Sequence, residues 1–129
     1  PGSNLNEIAE QAINGTAITE ITIPASVKII GNGAIAGNAA LAKITFEEGF
    51  NPTSVGYGQL DAHKIKCDII IEGDVWAEGV VRGRTFGDPS YANAPWAEVG
   101  TKIYVRADLV DAWKELLLAD YADYIVAIS

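Results

Sequence analysis

Apolar residues near the start of the chain recur in an order that repeats. Ile8, Ala12, Ile13 and Gly15, followed by Ile18, Ile21 and Ile23, are answered by Ile30, Ala34, Ile35 and Gly37, followed by Leu41, Ile44 and Phe46. The first four pairs lie 22 residues apart and the last three 23, so one residue is inserted at Ala39 or Ala40. A period of this length marks an array of small units, none of which can bury its apolar face alone. Ile21 and Ile23 alternate with Glu20 and Thr22, which predicts a short strand with one buried face, turning at Pro24. Stacking the units places Ile21 beside Ile44 and Ile23 beside Phe46 at a strand spacing of roughly 4.8 Å. Glu20, Thr22, Lys43, Thr45 and Glu47 then face outward, with Glu20 opposite Lys43 as an attractive cross-strand pair.

At the other end the period changes. Leu109, Val110, Trp113, Leu116 and Leu117 recur at helical spacing and predict a helix over 107–119, with Asp108 as its N-cap. Such a helix suits the open last turn of an array. Tyr124, Val126 and Ile128 predict a closing extended segment.

Between these parts the pattern loosens. Residues 49–60, rich in Gly, Pro, Ser and Asn, read as an extended loop. Ile65–Ile71 reads as a strand, with Cys67 and Ile69 lying 23 residues beyond Ile44 and Phe46. Residues 72–100 carry Gly73, Gly79, Gly83, Gly87, Pro89, Pro95 and Gly100, so no long element fits, although 75–77 and 79–82 suit short strands.

These readings give one domain over 4–129, after Pro1, Gly2 and Ser3, which read as a cloning scar. It divides into repeats at 4–48, an irregular region at 49–100 and a C-terminal cap at 101–129. The expected fold is α+β and β-rich, a short solenoid with a parallel strand ladder closed by a C-terminal helix. The first unit enters at Leu5 with no strand or cap before it. Its apolar end is therefore expected to meet further repeats or another chain, including a second copy in a homo-oligomer.

Composition narrows the function. Apolar residues make up 49% and charged residues 20% of the chain, as in globular proteins, and no apolar run is long enough for membrane insertion. The net charge of −8 opposes binding to nucleic acid or to an anionic bilayer. The single cysteine, Cys67, rules out an internal disulfide and any zinc site built from several thiolates.

The sequence offers little for catalysis. His63 and Cys67, four apart on a strand entry, would lie about 13 Å from each other, and nothing supplies the remaining ligands of a metal site. Cys67 reads as a small core residue. Asp68, Glu72, Asp74 and Glu78 lack the alternating spacing of a calcium loop and read as a solvated acidic edge. Gly31, Gly33 and Gly37 miss the spacing of a dinucleotide fingerprint. Ser26, Ser54 and Ser90 have no neighbouring base and no nucleophile-elbow motif. No catalytic residue, metal site or cofactor is assigned, and the chain reads as non-enzymatic. Among the aromatics, Trp76 and Phe86 read as satellite core packed under the loops. Tyr57, Tyr91 and Trp96 stand as candidate anchors for a partner, beside the strand face of Glu20, Thr22, Lys43 and Thr45.

The run from Ile18 to Ile44 combines an Ile-Pro-x-Ser-Val turn, Ile-Gly, Ala plus a bulky residue, Gly, and Leu-x-x-Ile. In that order it resembles the BspA-type leucine-rich repeat of bacterial surface proteins. Ile13 and Ile35 stand where that family usually has Phe, and Asn38 where Cys is common. Lys102–Lys114 together with Tyr121–Ile128 resembles the family's C-terminal strand, helix and strand, with Arg106 at a position where Pro is common. The resemblance covers 5–47 and 101–128. It implies a leucine-rich-repeat solenoid, an extracellular or cell-surface location, and a non-catalytic adhesin module that recognises protein or glycan. The alternative is a structural part that oligomerises, such as a spacer or a phage-tail or shell component.

Overall fold

A segment that alternates apolar and polar residues can bury its apolar face only beside another like it. The computed structural model describes residues 7–8, 17–35, 37–38, 40–60, 65–77, 79–80, 85–87, 90, 95–117 and 119–128. Strands β1 (Glu7–Ile8), β3 (Ile29–Ile30) and β5 (Ser54–Val55) form a three-stranded sheet in that order. Strands β2 (Glu20–Ile23), β4 (Lys43–Phe46), β6 (Asp68–Ile71), β7 (Ile103–Val105) and β8 (Ile125–Ala127) form a five-stranded one. All pairings are parallel, and up to β6 the chain alternates between the sheets. With helices α1 (Trp96–Val99) and α2 (Val110–Leu116), this is an α+β, strand-rich fold with two parallel sheets and a short C-terminal helix.

The first register follows the sequence period. Glu20 pairs with Lys43, Ile21 with Ile44, Thr22 with Thr45 and Ile23 with Phe46. The next does not: Ile44 pairs with Ile69 and Phe46 with Ile71, so the offset is 25 and neither Cys67 nor Ile69 takes the expected place. The extra length is used in the segment expected to be all loop. There Ser54 and Val55 join the three-stranded sheet opposite Ile29 and Ile30, again 25 residues on.

Two inward rows build the core. Ile44, Ile69 and Ile103 form one, and Ile23, Phe46, Ile71 and Val105 the other, all buried. Burying each such side chain is worth about 1.5–3 kcal/mol. Ile21 is only half-buried because β2 is an edge strand.

Beyond β6, the described residues of 72–100 supply core rather than strands. Val75–Ala77 and Gly79–Val80 form none, and 81–82 lie outside the described residues. Trp76 instead stands edge-on to Phe46 at 5.2 Å and to Trp113 at 5.0 Å, and Phe86 edge-on to Tyr121 at 6.0 Å. Trp76 and Phe86 thus belong to the main cluster and not to a satellite. Gly79, Gly87 and Gly100 all take positive φ, the conformation that side chains disfavour, which accounts for part of the glycine content.

At the C-terminus the helix is shorter than expected. A 3-10 turn at Ala107–Leu109 precedes α2, and Asp108 does not cap it. Both Asp108 carboxylate oxygens accept from Arg106, at 3.3 and 3.0 Å. Trp113 and Leu117 are buried, while Leu109, Val110 and Leu116 pack half-buried against the cluster. After a 3-10 stretch at Ala119–Tyr124, β8 turns Ile125 inward, so Val126 takes the outer face and Ile128 is 38% exposed.

Candidate binding surface

Every second residue of the five-stranded sheet faces away from the core, and the registers align these residues into rows. Glu20, Lys43 and Asp68 form one row of alternating charge. Thr22, Thr45, Ile70, Tyr104 and Val126 form the next, crossing all five strands. Its composition changes along the way: Thr22 is exposed and Thr45 half-buried, and Ile70, Tyr104 and Val126 are half-buried apolar or aromatic groups. Lys43, Asp68, Ile70, Tyr104 and Ile128 bound a depression of about 300 Å³ on this face.

Of the charges at its edge, Lys43 is exposed, whereas Asp68 is half-buried with its Oδ1 shielded from solvent. Lys66 approaches Asp68 at 3.4 Å, a surface pair of the kind worth about 0–1 kcal/mol. Lys102 Nζ lies 5.5 Å from the centroid of the Tyr124 ring. The four strand-face residues expected to meet a partner, Glu20, Thr22, Lys43 and Thr45, are therefore brought together. Ile70, Tyr104, Val126 and Ile128 extend them and were not legible as one surface. The run Ile69–Ile71 shows no alternation, and the 25-residue offset hides which isoleucine faces out.

The aromatic candidates separate. Tyr57 is 54% exposed, beyond β5 of the three-stranded sheet and so away from this face. Tyr91 lies outside the described residues. Trp96 is a correction: it is 5% exposed, stacked on Tyr121 at 5.4 Å and edge-on to Tyr124, so its ring is occupied by the core. Proline at 95 and glycine at 100 mark the sequence around it as a loop, and the short helix α1 folds the indole inward.

The groups weighed for chemistry are dispersed. Cys67 is fully buried, with its N–H donating to Thr101 Oγ1 at 3.0 Å. Burial, and secondarily the charge of Asp68, push its thiol up to about 12, so it stays protonated and unreactive near neutral pH. His63 and Glu78 lie outside the described residues. Asp74 is taken by Arg106 at 2.8 Å. Among the described residues no group of three or more His, Cys, Asp or Glu side chains is placed to hold a metal ion. Compared with protein-family models, curated proteins and solved structures, the chain matches none.

Proposed function

We propose that the chain is a non-catalytic binding module, the C-terminal part of a bacterial cell-surface leucine-rich-repeat adhesin. On this reading the alternation between two parallel sheets is a short solenoid, and the outer face of the larger sheet meets a protein partner. The observation that carries it is the row Thr22, Thr45, Ile70, Tyr104 and Val126, a continuous semi-apolar strip on a rigid sheet with charges along one side. An apolar centre with a polar rim is the anatomy of protein contact surfaces. A face this small gives modest affinity unless several modules act together.

The test is binding to immobilised extracellular-matrix proteins, comparing the wild type with Tyr104→Glu. Saturable binding that the variant weakens by about tenfold, a loss of roughly 1.4 kcal/mol, is the expected result. Equal binding by both, or none by either, would overturn the reading.

A structural role is the second reading, favoured by Ile21. Its register mates Ile44, Ile69 and Ile103 are fully buried, whereas Ile21 at the sheet edge is not. Light scattering that finds a stable dimer or trimer, broken by Ile21→Lys, would replace recognition with assembly.

A further inference from the structure

We propose that Tyr57 and the depression beside it form a binding site for a neutral sugar ring. This site belongs to the three-stranded sheet and stands independently of the protein-binding face. The depression, about 410 Å³ and open to solvent, is lined by Ile29, Gly31, Asn32, Ser54, Gly56 and Tyr57 among others.

Rigidity comes first. The Tyr57 N–H donates to Asn32 Oδ1 at 3.1 Å, and its carbonyl accepts from the Gly33 N–H at 2.8 Å. The neighbouring Gly56 N–H donates to the Ile30 carbonyl at 2.8 Å. The Tyr57 backbone is thus held from both sides while more than half of the residue remains in water. A ligand that packs on the ring does not have to order the chain that carries it.

The surrounding chemistry selects the class of ligand. Ile29, 39% exposed, adds an aliphatic edge to the aromatic surface. Among the described residues, Asn32 commits only its Oδ1 and neither its amide N–H donors nor the Ser54 hydroxyl makes a hydrogen bond. No charged side chain among the described residues lines the depression, in contrast to the one bounded by Lys43 and Asp68. A pyranose has the complementary make-up. Its C–H face packs against the electron-rich face of an aromatic ring, and its hydroxyl rim needs neutral donors and acceptors. An anionic or cationic ligand would find no counter-charge among these groups.

The experiment is an NMR titration of the whole chain with glucose, galactose, mannose, N-acetylglucosamine and cellobiose, alongside glucuronate and glucosamine as charged controls. At least one neutral sugar should shift the amides of residues 29, 32, 54 and 57. Tyr57→Ala should weaken that sugar by about tenfold, while Tyr57→Phe, which keeps the ring, should stay within about threefold. Tyr104→Glu should leave it unchanged, which separates this site from the protein-binding face. The proposal fails if no neutral sugar binds at concentrations on the order of 10 mM, if Tyr57→Ala binds like the wild type, or if the charged sugars bind equally well.

Discussion

Buried polar atoms set the most specific local constraints. Tyr121 is fully buried, and its hydroxyl donates to the Gly87 carbonyl at 2.6 Å while accepting from the Phe86 N–H at 3.1 Å. Tyr121→Phe removes both of these hydrogen bonds, deprives the Phe86 N–H and the Gly87 carbonyl of this partner, and is expected to cost about 1–3 kcal/mol in urea denaturation. Cys67 sets a pH dependence. Its folded-state pKa is raised from the ordinary 9.0 to about 12, so the fold favours the neutral thiol. That contribution is complete below the unfolded value and is lost as pH rises between 9.0 and about 12. The stability difference between the wild type and Cys67→Ala should therefore shift against the wild type over that window. A difference that stays constant with pH would show that the thiol is not shielded as the structure requires.

At the scale of elements, successive strands of the smaller sheet are tied by side chains reaching across. Gln59 accepts from the Ile35 N–H at 3.2 Å and donates to the Gly31 and Gly56 carbonyls at 2.8 and 3.2 Å. Thr85 Oγ1 donates to the same Gly56 carbonyl at 2.7 Å. These short strands hold only a few ladder bonds, so the side-chain links supplement them. The approach at Gly56 is correspondingly close: a Cβ there would lie 2.3 Å from Asn32 Oδ1 and 2.6 Å from the Asn32 backbone nitrogen. Gly56→Ala should destabilise by about 1–3 kcal/mol. Adding Asn32→Ala should not restore stability, because the backbone clash remains. Recovery in the double variant's thermal melt would place the strain in the side chain alone.

For the whole molecule, the aromatic cluster joins regions far apart in sequence. Phe46 from the five-stranded sheet, Trp76 from the irregular region and Trp113 from α2 meet in one chain of edge-on contacts. Trp96 and Tyr121 continue it through Phe86. The three tryptophans therefore report on the same core as the strands. Urea midpoints from tryptophan fluorescence and far-UV circular dichroism are expected to coincide, as for one cooperative unit. Separate midpoints would divide the repeats from the C-terminal region.

The sequence by itself determined what depends on local periodicity. The match of Ile21 and Ile23 to Ile44 and Phe46 set the first parallel register, since a slip of one residue would turn every isoleucine into water. The stripe through Trp113 and Leu117 likewise set the buried face of α2. Only the tertiary structure decided the rest. The 25-residue offset depends on how much chain the connection through β5 consumes, and a uniform Ile69–Ile71 run carries no parity of its own. The outer row ending in Tyr104 and Val126 exists only once five strands are in register. Tyr57 and Trp96 are similar as loop aromatics in sequence. One is left in water on a pinned turn and the other is drawn under Tyr121, because burial depends on which distant groups arrive to cover a ring.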